Sequence, residues 1–393
     1  MDHDKFKKII ESCHLNFLIG SGASRNYFAT LGNVEDLLTE LAKKPAGKQK
    51  NILETSIKKD YFDKAILGNL YINNIAEIKE PAVADKLKNT KTNYQEFLVA
   101  LNIILLRRRS NIISRQVNLF TTNMDLFLDV TLEEINLEYN DGFSGKLNPV
   151  FSTSNYHKSI FQKSPHYDNK AELPLFNLYK MHGSVTWKSD RSQILFDSQL
   201  QILYDISKVE LTKPVISEFW DGDKPKTMET LTAEADKLEE DASFSVFLNA
   251  YNKMEIINPT KDKFSTTTVQ YNFYELLRMY SNELEKENSV LFVFGFSFAD
   301  EHIREITKRV ANSNPTLLIC IFAYDESSKT DIEQKFNLGE IKFKNVEVII
   351  GGSLFDLNAN WFKKLAMELD ADQFTTNRND VVVNVNLPKA GEV

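Results

Sequence analysis

Cysteine is nearly absent from this 393-residue chain: Cys13 and Cys320 are the only two, and no CxxC pair occurs. That excludes a four-cysteine structural zinc, and two thiols so far apart suit a reducing compartment rather than a disulfide scaffold. Long apolar runs are missing too. The first hydrophobic segment, Leu15–Ile19, is too short for a signal-peptide core or a membrane span, and Met1-Asp2-His3-Asp4 before it is polar. A cytoplasmic protein without membrane contact is expected. Positive charge is not in excess either. A net charge of −8 argues against a general DNA- or RNA-binding surface, which needs a concentrated positive field. Much of the negative excess lies in Asp221–Asp241, where eight acids face three bases. Internal repeats and low-complexity tracts are also absent.

What is present is ordinary for a globular chain, with 42% hydrophobic and 26% charged residues. The length allows one large domain with an insertion. Short apolar runs alternate with helical patterns: Leu15–Ile19, Val117–Phe120, Leu178–Met181, Val290–Phe294, Leu317–Phe322 and Val346–Ile350. This alternation predicts an α/β fold, a Rossmann-like parallel sheet with helices on both faces. The later runs are nearly continuous apolar segments, as expected for central strands buried on both faces. A strongly apolar helix is expected at roughly 95–109, and another where Ile303, Ile306 and Val310 recur after Asp300. A mostly helical stretch is expected at about 37–101 and a helical insertion at about 188–285. The tail, 371–393, contains the alternation Val381–Leu387, which could be an inter-subunit edge strand or a frayed end.

Four segments sit just beyond the C-terminal ends of expected strands, where ligands bind in open α/β sheets. Gly20-Ser21-Gly22-Ala23-Ser24 could bring backbone close to a pyrophosphate, with a helix N-terminus behind it, or could be a bare tight turn. In Thr121-Thr122-Asn123-Met124-Asp125, Asn123 could hold a ribose hydroxyl or a water without adding charge near a developing cation; it could equally be a helix cap, with Asp125 a first-turn dipole partner. His182, followed by Gly183, could take a proton from a ribose hydroxyl or a water near neutral pH. Gly295-Phe296-Ser297-Phe298-Ala299-Asp300 alone reads as a strand–turn–helix junction. The conjunction of the four, converging on one crevice, is what points to a site.

Taken together, these segments resemble the sirtuin superfamily. Gly20–Ser24 looks like its phosphate loop, Thr122-Asn123-Met124-Asp125 like its QNxD segment with Thr for Gln, His182-Gly183 like its catalytic HG, and Gly295-Phe296-Ser297 like its GTS turn. Within the superfamily the forms found here resemble bacterial SIR2-like antiphage effectors, in particular the partner of a HerA-type hexameric ATPase. The resemblance implies one SIR2-like domain over residues 1–370, with NAD as substrate. It also implies a catalytic set of Asn123, His182 and Asp125, and a binding set of Gly20, Ser21, Gly22, Ala23, Ser24, Thr122, Gly295 and Ser297. Arg25 stands where the family has a Pro-Asp-Phe-Arg run, and its position suggests a cation for the pyrophosphate. The family's deacetylases carry two CxxC pairs in a zinc module; their absence here disfavours protein deacylation and makes water the expected acceptor, without a metal. The expected reaction is hydrolysis of the nicotinamide–ribose bond. A non-catalytic NAD or ADP-ribose sensor and a scaffold for a ring of ATPases are the alternatives, and a homo-oligomer is expected.

Overall fold

Each of the six apolar runs overlaps a strand of one sheet. The computed structural model describes residues 3–30, 34–108, 113–190, 193–221, 224–256 and 268–370. The sheet holds β1 (His14–Ile19), β2 (Gln116–Thr121), β3 (Tyr139–Asn140), β4 (Leu175–Lys180), β5 (Ser289–Phe294), β6 (Leu318–Ala323) and β7 (Val346–Ile350). Their spatial order is β7-β6-β5-β1-β2-β4-β3, and every neighbouring pair is parallel. The two-residue strand β3 was not expected, because a run so short leaves no hydrophobic signature.

Helices α1 (His3–Ser12), α2 (Val34–Ala42), α3 (Lys48–Tyr61), α4 (Pro81–Arg107), α5 (Phe127–Glu134), α6 (Gln201–Ser207), α7 (Met228–Ala235), α8 (Ala242–Tyr251), α9 (Thr268–Glu285), α10 (Glu301–Ser313) and α11 (Glu326–Phe336) surround the strands. Successive strand residues point to opposite faces, so both faces need a cover. Phe17 and Phe292 pack with Phe6 of α1 and with Tyr94 and Phe97 of α4 on one side. Leu18, Phe120 and Leu291 pack with Leu276 and Tyr280 of α9 and with Ile303 and Val310 of α10 on the other. Helix α4 is far longer than the expected 95–109. Its first half is mostly polar, and only Leu87, Thr90 and Tyr94, three and four residues apart, mark the buried stripe.

The segment after β4 is mixed rather than helical from its start. Trp187–Asp190 and Gln193–Phe196 form an antiparallel hairpin that joins Val150–Phe151 and Phe143–Ser144 in a four-stranded sheet. Helices α6, α7 and α8 follow, while α9 covers the main sheet. The two stretches expected as helical meet in a core of their own, formed by Leu41 of α2, Ile52 and Ile57 of α3, Leu231 of α7 and Phe244 of α8. Within the acidic stretch Asp221–Asp241, residues 222–223 lie outside the described residues; Lys226 pairs with Glu234 at 2.8 Å. The tail 371–393, with Val381–Leu387, lies wholly outside them. Among the described residues, no helix is long and apolar enough to cross a membrane.

One polar row crosses the sheet. Asn16 of β1, Asn118 of β2 and Asn177 of β4 stand in register. Asn118 Nδ2 donates to Asn16 Oδ1 at 2.8 Å, and Asn177 Nδ2 to Asn118 Oδ1 at 3.0 Å. All three are buried, so each amide depends on its neighbours for partners.

Candidate active site

The chain runs from β1 through β2 to β4 in one direction, then returns to the other side of β1 with β5, β6 and β7. The reversal lies between β1 and β5, and a crevice opens there beyond the strands' C-terminal ends. It encloses about 450 Å³ and is lined by Ser21, Gly22, Ala23, Ser24, Arg25, Thr122, Asn123, Asp125, His182, Gly295 and Ser297, among others. The structure thus brings together every residue expected of the site except Gly20, which lies behind the wall.

The loop after β1 is built differently from the expected phosphate cradle. Ser21–Ser24 is a single 3-10 turn, and no α-helix starts before Thr30, so the helix N-terminus expected behind it is not there. Three of its amides are already used: Gly20 N–H donates to Phe294 O (3.1 Å), Gly22 N–H to Gly295 O (2.9 Å) and Ala23 N–H to Gly20 O (3.0 Å). The glycines are needed for packing of loop on loop. A Cβ on Gly20 would lie 2.3 Å from Gly295 O, and Gly295, at φ +64°, itself faces Ala23 N. Arg25 is the one lysine or arginine among the described residues lining the crevice. Its guanidinium lies 5.5 Å from the centre of the Tyr324 ring, across the opening from β6.

Thr121 Oγ1 donates to Ile19 O at 2.9 Å and accepts from Asn123 N–H at 3.0 Å, which closes the turn after β2. Asn123 Nδ2 donates to Gly20 O at 3.1 Å. Its Oδ1 is buried with no hydrogen-bond partner within hydrogen-bond geometry, although the Tyr94 hydroxyl lies beside Asn123. A buried acceptor without a partner costs roughly 1–3 kcal/mol, and the Tyr94 hydroxyl is one donor beside it.

Asp125 turns away from Asn123. Its carboxylate accepts from Ser24 Oγ at 2.8 Å and from Phe127 N–H at 3.2 Å, and Ser24 also meets the Tyr94 hydroxyl at 2.9 Å. Asp125 thus ties the loop after β1 to the start of α5. Burial pushes its carboxyl above the usual carboxylate value, although Lys180 and the Ser24 and Phe127 bonds pull the other way. Lys180 is itself buried, pairs with Asp129 at 2.6 Å and donates to Asp125 O.

His182 follows β4, with its Nε2 3.2 Å from Asp300 Oδ2; the two side chains are 17% and 8% exposed. Gly183 sits at φ +81°, and a Cβ there would also lie 2.2 Å from Glu255 O, where the 255–256 backbone crosses, so both conformation and space call for glycine. Asp300 was read from the sequence only as an acid at a helix start. It does cap α10, accepting Ile303 N–H at 3.2 Å through Oδ1, but its second oxygen faces the histidine. Among the described residues, no group of three or more His, Cys, Asp or Glu could hold a metal ion.

A protein-family model described as a SIR2-like domain matches residues 250–349. The match supports the SIR2-like superfamily. It covers β5, α10, β6, α11 and most of β7, and so includes Gly295, Ser297 and Asp300 but neither Asn123 nor His182. No curated protein matches the chain.

Proposed function

We propose that the chain is an NAD⁺ hydrolase, which releases nicotinamide and ADP-ribose. The observation that carries this reading is the convergence of Asn123 and His182, from the ends of β2 and β4, on the wall of one crevice. Cleavage breaks the C1′–N bond, with the electron pair leaving on the nicotinamide nitrogen, while water adds to C1′ and gives up one proton. The transition state has oxocarbenium character, so the protein must orient the ribose and tolerate positive charge. Asn123 Oδ1 would accept from a ribose hydroxyl or from the water, without adding a full charge beside C1′. His182 would take the proton, and the crevice contributes Asp300 as the nearest anion to the imidazolium that results. Arg25 would meet the pyrophosphate, and Ser21, Ser24, Thr122 and Ser297 line the path between. Asp125 would act by holding Ser24 rather than by facing the cation.

His182→Ala is expected to lower nicotinamide release at least about 10²-fold with an unchanged melting temperature, the usual worth of a positioned base. Chromatographic detection of nicotinamide from purified protein and NAD checks this. Wild-type turnover in the variant would remove His182 from the mechanism, and tight NAD binding without turnover in the wild type would favour a sensor. By resemblance, the cellular role we propose is antiphage defence through NAD depletion, in the cytoplasm, by a homo-oligomer that works with a HerA-type hexameric ATPase.

A further inference from the structure

We propose that Asp300 is a positioning residue for His182: it holds the neutral imidazole as the Nε2–H tautomer, so that Nδ1 carries the lone pair that accepts the proton. The role of base rests on the hydrolase reading; the tautomer does not. An ionised carboxylate can only accept, and Asp300 Oδ2 lies 3.2 Å from Nε2. A carboxylate at that distance favours the tautomer with its hydrogen on Nε2, and in a neutral imidazole the other nitrogen is then the acceptor. Asp300, at 8% side-chain exposure, is shielded from competing water.

Two further observations separate this role from helix capping. The cap uses only Oδ1, which accepts Ile303 N–H at 3.2 Å; serine or asparagine would serve α10 as well. And the turn leading to Asp300 is held in an unfavourable shape. Phe298 sits at φ +55°, a region that a bulky side chain rarely adopts. It is pinned there by Arg304 Nη1, which donates to its carbonyl at 3.0 Å, and by edge contacts of its ring with Phe296 and Phe336. Backbone strain of this kind persists where the surroundings over-determine it, commonly at functional sites. Here the strained turn delivers the second carboxylate oxygen to His182.

The experiment is nitrogen-15 NMR of histidine-labelled full-length protein, with the His182 signals assigned by their loss in His182→Ala. The wild type is expected to show Nε2–H. In Asp300→Asn the amide oxygen stays on the helix cap, so its NH₂ faces the ring and should reverse the tautomer to Nδ1–H. The same variant should lose about 10²-fold in kcat for nicotinamide release with KM changed less than about 3-fold, and lose nothing further when combined with His182→Ala. Should Asp300→Asn fail to fold, Asp300→Ser keeps a cap, removes the histidine contact, and should give mixed tautomers with the same loss. An Nδ1–H wild type, or an Asp300→Asn protein with wild-type tautomer and kcat, overturns the proposal. A wild type that shows Nε2–H but releases no nicotinamide supports the positioning and sinks the hydrolase reading instead.

Discussion

Asp125 is where burial and charge conflict most openly in the site. Its carboxyl is raised, by desolvation first and in spite of Lys180, so the folded protein keeps that proton to higher pH than the unfolded chain does. Stability from this group is therefore greatest in acid and declines as pH climbs from the ordinary carboxylate range through the raised value. Asp125→Asn removes the buried charge and keeps an oxygen for the Ser24 hydroxyl. Calorimetry should find the variant melting above wild type at pH 8, with the gap closing toward pH 4; a lower melting point at pH 8 would mean that Lys180 and the lost Phe127 N–H bond together outweigh burial. Asn123 and His182 were legible as candidates only in conjunction, because each alone has an ordinary structural reading and it is four such segments at strand ends that point to one crevice. Asp300 was half legible, since a helix cap accounts for an acid at that position and hides its second partner. Tyr94 was not legible at all. It sits mid-way along a 27-residue helix, and its bond to Ser24 joins residues 70 positions apart.

Among elements, the loops after β1 and β5 behave as one unit, because each glycine in one fills space left by the other. Gly295→Ala would put a Cβ 2.4 Å from Ala23 N and force a left-handed φ on a residue with a side chain. A loss of about 2–4 kcal/mol is expected, together with impaired nicotinamide release, because the obstacle is backbone that cannot swing aside. Gly339→Ala, whose nearest neighbour would be 3.9 Å away, is the control and should change stability by less than about 0.5 kcal/mol. Chemical denaturation of the two variants checks the contrast; equal losses would show that packing between the loops is not the reason for Gly295. The central strands were readable because burial on both faces leaves uninterrupted apolar runs. The 3-10 turn at Ser21–Ser24 was not, since a glycine-rich strand end precedes an α-helix and a tight turn alike.

At the scale of the whole molecule, the proposed NAD hydrolysis would need restraint, and we propose that subunit contacts supply it by holding or freeing a loop across the crevice. Light scattering is expected to find a homo-oligomer larger than a dimer, and adding the HerA-type ATPase should change nicotinamide release at least several-fold. A stable, fully active monomer indifferent to the ATPase would defeat both expectations. The sheet itself has a different kind of control over the site. Asn16, Asn118 and Asn177 each stand three residues before the last residue of their strands, which end at Ile19, Thr121 and Lys180. Their bonded row acts as a datum line from which three loops are measured out at equal height. If one strand slid by a single residue, buried amides would lose their partners and every side chain on that strand would change faces. The carbonyl of Asn123 would also move about 3.3 Å along the strand direction relative to Gly20 or His182. The alignment of the crevice is thus gauged half-way down the strands, by three amides outside its lining.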